Sequence, residues 1–237
     1  MAISLKGRNF FALEDFTPEE IRYLLDLAIQ LKKESREHVR HQHYIGEDFL
    51  LLFEMNSTRT RCAFETSAND LGMGTTFLSN SHFGNTETIK DSMRVFSEMY
   101  SAIGYRGAKH STLLEMAKDS RIPIINGYTD HQHPTQMLAD AMTLDEVWGR
   151  ENYKGKTLCF IGRGGAVNSF SYGVMCAMLG MNFTYITSYM EMDEALEGLT
   201  AAEKATFRRF VPEGVVSPNW DTKMDARKRK IVEDLFA

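Results

Sequence analysis

From Phe49 to Gly72 the chain reads FLLLFEMNSTRTRCAFETSANDLG. An apolar run gives way to a cluster of hydroxyls and cations, Ser57-Thr58-Arg59-Thr60-Arg61, and a segment with helical spacing follows. This order predicts a buried strand, Phe49 to Met55, running straight into the start of a helix. The first backbone N–H groups of a helix lack intrahelical partners and carry the positive end of its dipole. With hydroxyls and guanidinium groups around the same point, such a turn suits an anion, and the inferred ligand is a phosphate.

Upstream, TPEEIRYLLDLAIQLKK (Thr17 to Lys33) offers Thr17 as an N-cap and Pro18 in the first helical position. Ile21, Leu24, Leu25, Ala28 and Leu31 fall on one stripe, so this segment is a helix, and the polar residues 34–48 are a loop or frayed helix end. Downstream, the pattern predicts a strand over Gly74 to Ser79, a polar loop over Ser81 to Thr88, and a helix over Ile89 to Tyr100 whose apolar stripe contains Met93, Phe96 and Met99. A strand from Ala102 to Tyr105 runs into Arg106-Gly107. It is followed by a helix near Thr112 to Ser120, a strand from Ile122 to Ile125, a turn at Asn126-Gly127 and a helix from Pro134. Strands alternating with helices predict an α/β fold with a parallel sheet.

After the polar stretch ENYKGK (Glu151 to Lys156) a second αβ unit is expected. It has a strand over Thr157 to Ile161, the turn Gly162-Arg163-Gly164-Gly165, a helix over Val167 to Leu179 and a strand over Phe183 to Thr187. Beyond it stand only Glu194 to Phe210, a loop with Pro212 and Pro218, and a charged terminal helix, so this second domain is expected to be thin.

The chain has 237 residues, enough for two domains; 43% are hydrophobic and 25% charged, ordinary values for a soluble globular protein. A net charge of −5 argues against a nucleic-acid surface. No stretch of 18 apolar residues suggests a membrane span, and MAISLKGRNFFALEDF lacks the apolar core of a signal peptide, so a cytoplasmic protein with a small-molecule partner is expected. Cys62, Cys159 and Cys176 are odd in number and widely spaced, which favours free thiols. Neither a CxxC signature nor a set of acidic ligands accompanies His131-x-His133, so neither a metal nor a cofactor is expected.

Open parallel sheets bind ligands beyond the carboxyl ends of their strands. Three segments end strands in this way: Ser57 to Arg61, Arg106, and Asp130 to Gln136 (DHQHPTQ). A phosphate at Ser57 to Thr60 would place its ester partner near Arg106, His133 and Gln136, which offer a cation, an imidazole donor and an amide. That set suits a carbonyl attached to phosphate, with negative charge on the carbonyl oxygen and the departing phosphate stabilised without a covalent enzyme intermediate. The expected chemistry is transfer from an acyl phosphate.

Taken in order, Ser57-Thr58-Arg59-Thr60-Arg61, Tyr105-Arg106-Gly107 and His133-Pro134-Thr135-Gln136 with Leu138-Ala139-Asp140 resemble the carbamoyl-phosphate domain of the ornithine carbamoyltransferases, within the aspartate/ornithine carbamoyltransferase superfamily. The resemblance covers most of residues 9–150 and includes Phe64-Glu65 and Ile89-Lys90-Asp91. It implies that Ser57, Thr58, Arg59 and Thr60 grip phosphate, that Thr60, Arg106 and His133 polarise the carbamoyl carbonyl as the catalytic set, and that Gln136 holds the carbamoyl amino group. It further implies carbamoyl transfer to an amine such as ornithine, a place in arginine metabolism, and a homotrimer in which the loop Ser81 to Glu87 reaches a neighbouring site. His82 stands there where the ornithine enzymes usually have Gln.

The second half departs from the family pattern. Gly162 to Ser169 (GRGGAVNS) resembles the acceptor domain's first turn in shortened form and leaves Asn168 as the candidate acceptor contact. Neither Asp-x-x-x-Ser-Met-Gly nor His-Cys-Leu-Pro is present. Asp225 to Ile231 resembles the family's terminal helix, with Arg227 at a position that in the family normally faces the carbamoyl-phosphate site, which makes it the second candidate acceptor contact beside Asn168. The expected layout is a carbamoyl-phosphate domain over 1–150, a shortened acceptor domain over 151–221 reduced by an internal deletion, and a helix over about 222–237 packing back on the first domain. Two functions remain open on this reading: a carbamoyltransferase, or a catalytically inactive carbamoyl-phosphate sensor or scaffold. GRGG lacks GxGxxG spacing and reads as a close-packed turn, while Arg227 to Lys230, four basic residues in an acidic protein, reads as a solvated face rather than a nucleic-acid patch.

Overall fold

β1 (Asp48–Phe53) is buried along five of its six residues, and its side chains alternate between two cores. Leu50 and Leu52 face one apolar cluster with Met93, Ile103, Leu113 and Met116; Phe49, Leu51 and Phe53 face another with Ala68 and Phe64. A strand covered on both faces is the central strand of an α/β sheet, which explains its unbroken apolar composition. The computed structural model describes residues 3–161 and 167–186.

The chain separates into two compact units, Met1–Val147 and Trp148–Ala237. In chain order the first carries α1 (Pro18–Arg36), β1, α2 (Arg59–Asp70), β2 (Gly74–Leu78), α3 (Ile89–Met99), β3 (Ala102–Arg106), α4 (His110–Asp119), β4 (Ile124–Tyr128) and the start of α5 (Pro134–Trp148). α1 begins as its sequence dictates: the Thr17 hydroxyl accepts from the Glu20 amide at 3.2 Å while the Glu20 carboxylate accepts from the Thr17 amide at 2.9 Å. Arg22 with Asp145 (3.2 Å) and Lys32 with Glu146 (2.7 Å) tie α1 to α5.

The four strands are parallel in the order β2-β1-β3-β4. From β1 the chain moves out to β2 on one side and then crosses to β3 on the other, so the winding reverses between β1 and β3. The crevice beyond the carboxyl ends of strands at such a reversal is where open α/β sheets take their ligands.

Three local expectations are corrected. On the α3 stripe Met93 is buried and Phe96 packs against the same cluster, but Met99 is 59% exposed, because six positions along a helix turn it about 240° away from Met93. Asn126-Gly127 is not a turn but lies inside β4, which runs to Tyr128 because the N-terminal segment pairs with it: Phe10 N donates to Ile124 O at 2.9 Å and Asn126 N to Phe10 O at 2.8 Å. The helix expected from Thr112 starts at His110, whose amide is capped by the Asp130 carboxylate at 2.7 Å, a residue twenty positions away.

In the second unit β5 (Thr157–Ile161) pairs in parallel with β6 (Asn182–Ile186) across α6 (Val167–Leu179). α6 buries Phe170, Val174, Met175, Cys176, Met178 and Leu179. The Gly162 to Gly165 turn, the segment Glu194 to Phe210, the terminal helix and most of the region assigned to an internal deletion lie outside the described residues. All three cysteines are free thiols. Among the described residues no helix is long and apolar enough to cross a membrane.

Candidate active site

Three strand ends meet at the reversal point. Phe53, the last residue of β1, pairs with Arg106, the last of β3; the Glu54 amide donates to Arg106 O at 2.9 Å and the Gly107 amide to Tyr128 O at 3.1 Å. Between β3 and β4 the register shifts, with Tyr105 opposite Asn126 and Arg106 opposite Tyr128, so Gly127 is the extra residue of a bulge. The bulge presents the Gly127 carbonyl to Arg106 Nη1 at 3.2 Å. A Cβ on Gly127 would lie 3.0 Å from Phe64 Cε2 and 3.4 Å from Thr60 Cγ2, so glycine is what lets the start of α2 close over the strand ends.

Thr58 is the N-cap of α2 but makes no side-chain capping bond, which leaves the first-turn amides uncapped by their own side chain. A pocket of about 350 Å³ opens here, lined by Arg59, Thr60, Phe64 and Ser67 from α2 and by His133, Thr135 and Gln136 at the start of α5. The structure therefore brings Arg59, Thr60, His133 and Gln136 together. Ser57 and Thr58 form the turn leading into α2, and Arg106 adjoins His133 closely enough that its charge acts on the imidazole.

Arg61 does not join them. Its Nε donates to Glu65 at 3.0 Å and its guanidinium lies over the Phe77 ring at 3.5 Å. Two residues along a helix are separated by about 200°, so Arg59 and Arg61 occupy opposite sides and only one guanidinium serves the pocket.

His133 is kept neutral at neutral pH: burial first, and the Arg106 charge second, push its imidazole down to about 4. Its Nδ1 is 3.3 Å from the Thr135 hydroxyl. Burial also lowers the pKa of Arg106, though a guanidinium remains charged at neutral pH, and its buried Nε has no hydrogen-bond partner among the described residues. A half-buried cation with an unused donor at the mouth of a crevice is a ready site for an anionic or carbonyl oxygen.

Tyr128 joins these two groups, with the Arg106 guanidinium 4.6 Å above its ring and the His133 ring edge-on at 5.5 Å. Sequence reading missed it; the only signal was an aromatic residue at a strand end just before Asp130 to Gln136. Gln136 turns its amide toward Asp140 on its own helix, donating at 3.0 Å. His131 pairs with Glu14 at 2.8 Å and does not line the pocket.

His82 sits exposed in the β2–α3 loop, 3.9 Å from Glu87 and away from the pocket lining. Asn168 is exposed in the first turn of α6, and Arg227 lies outside the described residues. A larger cavity, about 400 Å³, lies between the end of α1, the loop leading into β1 and the end of α2 leading into β2. The helix ends that line it are the carboxyl ends of α1 and α2, which carry the negative end of the dipole, so size alone does not make it the anion site.

Residues 8–146 match the family model described as the carbamoyl-P binding domain of aspartate/ornithine carbamoyltransferase. The chain belongs to this family. Ornithine carbamoyltransferase from Caldanaerobacter subterraneus subsp. tengcongensis is 44% identical over 185 residues, covering 77% of this chain and 58% of that relative. Ornithine carbamoyltransferase from Pseudothermotoga lettingae is 40% identical over 223 residues, 86% of this chain and 71% of that one. Among solved structures, ornithine carbamoyltransferase from Pyrococcus furiosus superposes with a TM-score of 0.76 at 30% identity, over 87% of this chain and 66% of that chain. The match to the Caldanaerobacter relative thus spans little more than half of that protein's length. Family membership and the parallel-sheet α/β fold rest on both the sequence and the architecture.

Proposed function

We propose that the pocket between α2 and α5 binds carbamoyl phosphate and that the protein transfers the carbamoyl group to the amine of a small amino acid such as ornithine. The observation that carries this reading is the convergence, at the β1/β3 reversal, of Arg59, Thr60, His133 and Gln136 beside the buried Nε of Arg106, which has no partner among the described residues. Phosphate is held by the uncapped amides of α2, the Ser57, Thr58 and Thr60 hydroxyls, and the Arg59 guanidinium.

The carbamoyl oxygen takes hydrogen bonds from Thr60, Arg106 and neutral His133, and Gln136 accepts from the carbamoyl NH₂. A neutral amine attacks the carbonyl carbon; the new C–N bond forms as the C–O bond to phosphate breaks, the phosphate leaves with the electron pair, and the proton of the amine leaves with phosphate or water. Fixed donors aimed at the oxygen stabilise the charge that develops there, which is the larger part of what such a site contributes. Because His133 is neutral, it donates without adding a second full positive charge beside Arg106.

The same reading assigns residues 1–150 to donor binding and 151–221 to the acceptor side, with Asn168 and Arg227 as the acceptor contributors. It also includes a cytoplasmic homotrimer acting in arginine metabolism, with His82 offered from its exposed loop to a neighbouring copy. The test is phosphate release from carbamoyl phosphate with ornithine and a panel of small amines against a no-amine blank. Amine-dependent release with stoichiometric ureido product is expected; release independent of every amine overturns the transferase reading.

A further inference from the structure

We propose that Glu14, far from the pocket in sequence, is a positioning residue for His133. The proposal rests on the carbamoyl-phosphate reading only for what His133 is positioned to do. Glu14 is nearly buried, its side chain 13% exposed, and its two carboxylate oxygens take different partners: one pairs with His131 Nε2 at 2.8 Å, the other accepts from the Gln132 amide. Gln132 is fully buried and its own amide oxygen accepts from the Leu13 N–H at 3.1 Å, so the side chain of residue 132 grips two consecutive residues of the N-terminal segment.

The main chain at 132 is fixed as well. Its carbonyl accepts from Asn126 Nδ2 at 3.2 Å and from the Thr129 amide at 3.1 Å. Immediately beyond, the His133 carbonyl starts α5 by accepting from the Gln136 and Met137 amides at 3.1 and 3.2 Å. The backbone of His133 is thus held by the helix on one side and by the Glu14 clasp on the other. Desolvating a carboxylate to hold a buried amide is expensive where apolar packing would fill the same space, and a buried hydrogen-bond network of this kind fixes one conformation of the chain.

The experiment compares the unmodified protein with Glu14→Ala, Glu14→Gln and a stability control, Glu20→Ala, which breaks the α1 capping box without touching residue 132. Three quantities are read: Tm, the His133 imidazole C–H resonances of the ligand-free protein, and the Kd for carbamoyl phosphate by calorimetry. Glu14→Ala is expected to move the His133 resonances and raise Kd roughly 10-fold or more. Glu14→Gln, which keeps an oxygen for the Gln132 amide, is expected to recover most of the affinity, and Glu20→Ala to lower Tm alone. If Glu14→Ala lowers Tm while resonances and Kd match those of Glu20→Ala, the positioning role is overturned. Should no protein, unmodified or variant, bind carbamoyl phosphate, the ligand assignment fails. The ligand-free resonances still decide the clasp: shifted in Glu14→Ala but not Glu20→Ala supports it, and unshifted overturns it.

Discussion

Replacing Arg106 with Met separates affinity from stability. Among the described residues the guanidinium makes one hydrogen bond, to Gly127 O at 3.2 Å, and lies over the Tyr128 ring at 4.6 Å. Those contacts contribute about 0.5–1.5 kcal/mol and about 0.5–1 kcal/mol respectively. Against them stands the desolvation of a half-buried cation that has no carboxylate partner among the described residues and whose Nε is unsatisfied there. The opposing contributions are of similar size, so Arg106→Met is expected to change unfolding stability by no more than about 1 kcal/mol.

Ligand binding is a different matter. Loss of charge-assisted bonds to the carbamoyl oxygen or phosphate costs about 1.5–3 kcal/mol, or roughly 10- to 150-fold in Kd. Removing the charge also lets the His133 pKa rise, though only part of the way, because burial is the larger cause of its depression. Urea unfolding, calorimetric titration with carbamoyl phosphate and NMR titration of His133 read the three effects. A variant that unfolds several kcal/mol more easily yet binds with unchanged affinity would refute the reasoning, since Arg106 would then be structural.

Further outcomes follow from the same geometry. His133 titrates near 4 when folded against about 6.5 when unfolded, so the unfolded chain binds more protons between those values. The stability associated with neutral His133 is therefore complete above pH 6.5 and declines as pH falls toward 4. The loss from this group by pH 5 is about 1–2 kcal/mol after allowance for solvent screening, and the pH dependence of urea unfolding should flatten in His133→Asn. Gly127→Ala forces a methyl to within 3.0 Å of Phe64 and 3.2 Å of Tyr105 O; about 1–3 kcal/mol of stability should be lost and carbamoyl-phosphate affinity with it, and an unaltered Tm would show that α2 does not close on the bulge. Tyr128→Leu should raise Kd by about 2- to 10-fold through loss of the ring beneath Arg106, whereas Tyr128→Phe should bind normally; equal weakening in both would point to the hydroxyl instead.

The β1–α2 unit was legible because its signals are local: an apolar run, then hydroxyls and cations, then helical spacing. The start of α1 was legible for the same reason, from Thr17 and Pro18 ahead of an apolar stripe, and the structure adds Glu20 as the other half of the cap. The strand order β2-β1-β3-β4, which fixes where the crevice lies, was not, since pairing is decided by contacts across the whole domain. Asn126-Gly127 misled because the pair favours turns, while here the Asn126 amide donates to Phe11 O at 2.7 Å and Gly127 admits a helix; both causes lie far away in sequence. Arg61 was avoidable, because helical spacing alone sets it opposite Arg59 once the helix start is placed. Tyr128 and Glu14 carry no motif, and the bond between Glu14 and Gln132 spans 118 residues.

The most direct measurement is calorimetric titration of carbamoyl phosphate into the unmodified protein and into Arg59→Ala. Saturable binding that weakens roughly 10- to 150-fold in the variant is expected from the loss of one charge-assisted phosphate contact. Absence of saturable binding, or equal affinity in the two proteins, would contradict the assignment of the α2–α5 pocket as the phosphate site.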